Sequence, residues 1–103
     1  IQERLSKLSG PARRVLDAGV AAGREFDYDV VIKASGLSED AGVSAIDELR
    51  MAGLISEISS TRCRMDHSLI MEVAYQEVGE LRHRLLHRQI AEALEGLHPD
   101  GLD

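Results

Sequence analysis

The residues of this 103-residue chain whose chemistry must be weighed first are its four histidines, its single cysteine and the arginines of one polar turn. His67 stands in the run Cys63-Arg64-Met65-Asp66-His67-Ser68-Leu69-Ile70-Met71-Glu72-Val73-Ala74-Tyr75, which reads as a short strand passing directly into an amphipathic helix. Asp66 is placed to cap that helix, because its carboxylate can accept from the unpaired amides of the first turn. Leu69, Ile70, Val73, Ala74 and Val78 then recur at the three-and-four spacing of one buried face. His67 falls at the first helical position, where free N–H groups can hold an anion. The plainer role for it is a junction histidine packed against its neighbours or bonded to the backbone.

The other reactive side chains point to less. His83 and His87 lie four apart on a helix, so both rings could share a face and hold a metal. No Glu or Cys stands at a diagnostic spacing, and the run Arg82-His83-Arg84-Leu85-Leu86-His87-Arg88 is better read as a basic helix face. Arg62, at the tip of an expected hairpin, and Arg64 on its second strand could touch a backbone phosphate of nucleic acid, although surface arginines commonly do nothing of the kind. Asp66 and His67 are adjacent at a helix start and so point in different directions, which removes them as a catalytic pair. Cys63 sits within an expected strand, with nothing nearby to stabilise a thiolate. No GxxxxGK[ST] loop, CxxC pair or GxSxG elbow occurs, and the chain is read as non-catalytic.

The totals set the frame for these side chains. A chain of 103 residues has room for one domain with one core, and 1–103 is read as such a domain. Hydrophobic residues at 44% and charged residues at 29% are ordinary for a globular chain. A lone cysteine excludes an intrachain disulfide and fits a reducing, cytoplasmic setting. No apolar run approaches the ~18 residues of a membrane span. The opening Ile1-Gln2-Glu3-Arg4 has neither an initiator Met nor a signal-peptide pattern, so the sequence reads as a piece of a longer protein. A formal charge of −6 opposes bulk affinity for nucleic acid, which comes from Lys and Arg neutralising phosphates.

In order along the chain, Ile1–Leu8 reads as the tail of a preceding helix, with Leu5 and Leu8 three apart. Ser9-Gly10-Pro11 starts a helix to about Gly23, with Ala12, Val15, Leu16, Gly19 and Val20 on one face. Gly23 is read as its stop, the alternative being a close backbone approach at Gly19 and Gly23. Arg24-Glu25-Phe26 is short and can be extended. Asp27 or Asp29 then caps a short helix through Val30, Val31, Ile32 and Ala34 to Gly36, with a strand as the competing reading. Ser38-Glu39-Asp40 opens a helix to about Ala52, with Val43, Ile46, Leu49 and Met51 inward and Gly53 as its stop. Leu54–Ile58 and Arg62–Met65, joined by Ser59-Ser60-Thr61, read as a β-hairpin. The helix beyond Asp66 runs to Val78, and a last one spans Glu80 to about Glu95 with Leu81, Leu85, Leu86, Ile90, Ala91 and Leu94 along one side. Gly96, Pro99 and Gly101 end the ordered chain.

Helix, short helix, helix, hairpin and two C-terminal helices is the order of a mainly α, winged-helix domain. In DNA-binding versions the third helix and the hairpin enter DNA. Here the third helix carries Glu39, Asp40, Asp47 and Glu48 against a single Arg50, a sign that phosphates repel. A solvated acidic face or a protein-contact face is the better reading.

Arg4-Leu5-Ser6-Lys7-Leu8-Ser9-Gly10-Pro11-Ala12-Arg13-Arg14-Val15-Leu16, Gly23-Arg24-Glu25-Phe26-Asp27 and Leu37-Ser38-Glu39 resemble the opening of a recurring bacterial domain. Ala45-Ile46-Asp47-Glu48-Leu49-Arg50-Met51-Ala52-Gly53-Leu54-Ile55 continues the likeness. So do the stretch from Arg64 to Tyr75 and Arg84-Leu85-Leu86-His87-Arg88-Gln89-Ile90-Ala91-Glu92-Ala93-Leu94-Glu95. Together they are similar to the winged-helix segment of STAND-class signal-transduction ATPases, which include large ATP-binding LuxR-type transcription regulators and cyclase-associated ATPase modules. The resemblance implies a regulatory lid that follows a P-loop ATPase core and precedes helical repeats or an effector domain. It further implies that His67 contacts the β-phosphate of ADP bound to that core and holds the closed, inactive state. The nucleotide, ADP or ATP, would belong to the full-length protein, and this piece alone would hold no cofactor. The partner would be the nucleotide-binding domain of the same chain, with a protein partner or self-association also open. Two further readings stand beside the lid: a DNA-binding regulator using Arg62, Arg64 and the Arg82–Arg88 face, and a protein-interaction or dimerisation module using the acidic helix.

Overall fold

Ser9 sets the first helix. In the computed structural model, which describes residues 7–66 and 68–97, its side chain accepts from the Ala12 amide at 3.2 Å. Helix α1 spans Gly10–Ala22 with Pro11 in its first turn, where the missing N–H costs no hydrogen bond. Gly23 ends it at φ 123°, a conformation that side chains with a Cβ rarely adopt, and its amide donates to Gly19 O at 3.0 Å. The stop expected at Gly23 is therefore in place. Gly19 serves a different purpose: the ring of Phe26 lies where a Cβ would stand, with its Cε1 2.9 Å from that position.

Strand β1, Glu25–Asp27, buries Phe26 and leads into α2, Tyr28–Ala34. The helix wins over a strand here despite Val30, Val31 and Ile32. Asp27 occupies the cap position, but its side chain makes no capping bond and instead accepts from Arg62 at 3.3 Å. Helix α3, Glu39–Met51, starts at Ser38, whose side chain accepts from Ala41 N at 3.2 Å, and carries Glu39 and Asp40 against its positive end. Strands β2, Ile55–Glu57, and β3, Arg62–Met65, form the expected hairpin. β3 also pairs antiparallel with β1, with Phe26 opposite Cys63, so the sheet order is β1-β3-β2. Helices α4, Ser68–Val78, and α5, Glu80–Leu97, close the described chain. The architecture is mainly helical, with five helices and a small three-stranded antiparallel sheet among the described residues. None of those helices is long and apolar enough to cross a membrane. Of the two leucines expected in a leading helix, Leu8 packs against the core and Leu5 lies outside the described residues, as do Pro99 and Gly101.

Leu16, Leu49, Leu54, Met65, Val15, Val31 and Cys63 form the fully buried centre, in which α1 meets α3 and the sheet. Truncating any of the larger ones to Ala removes packing worth roughly 2–5 kcal/mol. A second cluster joins Ala21, Val30 and Ala34 to Leu86, Ile90 and Ala93 of α5. The inward faces differ in part from those expected. α3 buries Gly42, Ala45, Ile46 and Leu49, whereas Val43 is 49% exposed and Met51 86% exposed. Leu69, Leu81, Leu85 and Leu94 are also exposed, and so is Ala91. Hydrophobic periodicity marks apolar stripes, but only the neighbouring elements decide which of two adjacent stripes is covered. On α5 the covered stripe is His83, Leu86, Ile90 and Ala93, fitted against the small side chains of Ala21 and Ala34.

Candidate functional site

The junction between β3 and α4 was the first candidate from sequence. His67 lies outside the described residues, so what can be built is its frame. Met65 ends β3 buried in the core, and the Asp66 amide donates to Leu54 O at 3.0 Å. The Asp66 carboxylate accepts from Ser56 Oγ at 2.9 Å and lies 4.0 Å from Arg64 Nε. Asp66 thus stands two residues ahead of the first assigned residue of α4. Among the described residues its carboxylate bonds to the hairpin. Next to the junction, α1 and α4 leave an open groove of about 500 Å³, lined by Val20, Arg24, Ser68, Met71 and Tyr75. Tyr75, which lines the groove, is about half exposed, as is Leu69 in the first turn of α4.

The second candidate is the face made by α2, α3 and the hairpin, where a groove of about 420 Å³ opens. Its rim holds Asp29, Glu39, Asp47 and Glu57, and its one cation, Arg50, is bound to two of them: Asp47 at 3.0 Å and Glu57 at 2.8 Å. The hairpin arginines are engaged too. Arg62 lies 3.3 Å from Asp27, and Arg64 lies 4.0 Å from Asp66. Exposed pairs of this kind stabilise a fold by well under 1 kcal/mol. Their effect on the field is larger, because Arg50, Arg62 and Arg64, the cations of this face, each already face a carboxylate of their own chain.

Glu48, expected on the same acidic helix face, is a clamp to α1. It accepts from Ser9 N at 2.8 Å and Ser9 Oγ at 2.7 Å, and these two donors hold its carboxyl below its ordinary range. A partner 39 residues away gives no local signal in sequence. Across the molecule Arg13 bridges Asp17 and Glu77, both at 2.9 Å. Burial pushes the Asp17 carboxyl up, against the opposing pull of Arg13.

On α5 the structure corrects the expected basic face at one position. His83 is buried, its ring stacked on Tyr75 with centroids 3.6 Å apart and planes inclined by 25°. Its Nε2 lies 3.2 Å from the Tyr75 carbonyl, an acceptor, so that nitrogen carries the proton. Nδ1 is buried with no partner among the described residues. His87 is 6.2 Å away and tilted by 40°, and no group of three potential metal ligands occurs among the described residues. Tyr75 and His83 sit on different helices across Gly79, so helical spacing could not pair them. Cys63 is buried in the sheet, and burial pushes its thiol up to about 12, a pKa at which it is no nucleophile near neutrality. No protein-family model matches the chain, and no curated protein or solved structure does either.

Proposed function

We propose that this chain is a winged-helix regulatory module of a bacterial signal-transduction ATPase of the STAND class, non-catalytic itself, that docks on the nucleotide-binding core of its own polypeptide. The order α1-β1-α2-α3-β2-β3, with β1 paired to the hairpin, supports the winged-helix reading. One observation carries the regulatory reading over a DNA-binding one. The face that would meet a duplex bears the carboxylates of α3, and Arg50, Arg62 and Arg64 each have a carboxylate of the same chain within 4.0 Å. Phosphate binding through that face would require breaking those pairs and bringing like charges together.

In this reading the docking side is the junction end of the molecule, with the half-exposed Tyr75 in the groove between α1 and α4 and the half-exposed Leu69 in the first turn of α4. His67, which precedes Ser68 in the sequence, would reach a phosphate of ADP held by the core. A contact made only in the ADP state is the differential interaction that a switch requires. The test is the ADP release rate of the polypeptide that carries both the core and this module, as wild type and as His67→Ala. A hydrogen bond to a charged group contributes roughly 1.5–3 kcal/mol, so release should quicken about tenfold or more, with raised output. An unchanged rate from a normally folded variant would assign His67 a packing role and remove the nucleotide contact.

A further inference from the structure

Two surfaces of the molecule complement each other and share no residue. The first is the groove between α2, α3 and the hairpin. Its floor is apolar, with Ile32, Ile46 and the half-exposed Val43, and its rim carries four carboxylates against the doubly paired Arg50. The second is the N-terminal half of α5. Leu81, Arg84, Leu85 and Arg88 follow one another at intervals of three, one and three, which places them on a single helical stripe. Leu81 is 79% exposed and Leu85 42% exposed, and with Arg82, Arg84 and Arg88 they line an open depression that contains no carboxylate. Among the described residues, no ion pair involves any of these three arginines. A helix with apolar anchors flanked by free cations is the shape and charge that an apolar-floored, acid-rimmed groove accepts.

We propose that a second copy of this chain is the occupant: the α5 stripe of one molecule lies in the α2–α3–hairpin groove of the next. The two surfaces share no residue and stand open together, so each copy offers one donor face and one acceptor face. That is a heterologous contact, built from different patches on the two partners. Leu81 and Leu85 would cover Val43 and Ile32, and Arg84 and Arg88 would answer Glu39 and Asp47. A contact of one helix in one groove belongs to the small, transient class of interfaces, with dissociation constants of about 10 μM to 1 mM. This surface is separate from the junction end used in the proposed regulatory contact, and neither depends on the other.

Sedimentation of the chain across concentration tests the contact. The wild-type average mass should rise to a dimer or beyond as concentration approaches about 1 mM. It should fall back when salt is raised from about 0.1 M to about 1 M, which shortens the screening length from about 10 Å to about 3 Å. Arg84→Gln/Arg88→Gln neutralises the stripe, and Glu39→Gln/Asp47→Asn neutralises the groove; all four positions are exposed, so the fold should survive. Each variant alone should remain monomeric. Mixed, the intact groove of the first and the intact stripe of the second should restore association as a 1:1 pair. A wild-type chain that stays monomeric at about 1 mM, a variant that associates like wild type, or a mixture that stays monomeric would each overturn the proposal.

Discussion

At Gly42 a hydrogen atom in place of a methyl group lets Ile32 of α2 pack directly against α3. Built onto its backbone, a Cβ would fall inside the contact radius of Ile32 Cγ2 and 2.7 Å from Ile32 Cγ1. Both atoms branch directly from the Ile32 Cβ, so neither can swing away as the end of a long side chain could. Gly42→Ala gains about 1 kcal/mol of helix propensity inside α3. It also overpacks the α2–α3 contact, which typically costs about 1–3 kcal/mol. The expected result is a net loss of stability by urea unfolding. In an Ile32→Ala background the obstacle is gone, and the same substitution should become stabilising. A substitution that stabilises the wild-type background as well would show that the contact yields without cost. From sequence Gly42 looked like one more residue of an acidic helix, because the neighbour that makes it necessary belongs to another element.

At the scale of elements, the join between α1 and α3 runs through Ser9. Its hydroxyl oxygen accepts from Ala12 N and donates to Glu48 Oε1, while its amide donates to Glu48 Oε2. One residue therefore starts a helix and ties it to the side of another. Ser9→Ala removes the cap and one of the two bonds to Glu48, and should lower stability by about 1–2 kcal/mol. The link between the helices is separable from the cap by a double-mutant cycle with Glu48→Ala. Additivity within about 0.3 kcal/mol would mean that Glu48 contributes nothing through Ser9. This pair also marks what was legible beforehand. Ser9, Gly23, Ser38, Gly53 and Gly79 announce element ends through short-range chemistry, and the observed elements start and stop within a residue or two of them. The hairpin was readable for the same reason. The Glu48 clamp, the Arg62–Asp27 pair and the His83–Tyr75 stack join side chains between elements, and no local pattern encodes such partners. The same gap misplaced Val43, Met51 and Leu81, whose apolar character was visible while the absence of a covering neighbour was not. For the candidate site, the acidity of α3 was plain in the sequence, but its partnership with the α5 stripe required both elements in place.

For the molecule as a whole, the titrating groups predict an asymmetric dependence of stability on pH. On the acid side two shifts oppose each other. Asp17 is raised by burial, so its contribution is present below its unfolded pKa and is lost as pH rises through its folded one. Glu48 is lowered by the Ser9 amide and hydroxyl, so its contribution is present above its unfolded pKa and is lost as pH falls through its folded one. On the alkaline side the shifts agree. Burial raises the Cys63 thiol from 9.0 to about 12, and burial raises Tyr28 from 10.0 to about 12. Both groups hold their protons more tightly when folded, so their contributions are complete below about pH 9 and decline as pH climbs toward 12. Unfolding free energies from urea titrations should accordingly be level between about pH 7 and 8.5, then fall through pH 9.5 and 10.5. Cys63→Ala should flatten the first part of that fall, at some cost in packing, because the unfolded thiol is the first of the two to lose its proton. Tyr28→Phe should act mainly above pH 10. A wild-type stability that stays constant to pH 10.5 would mean that the interior of the sheet admits the thiolate. That result would contradict the burial that joins Cys63, Met65 and Leu54 into one core.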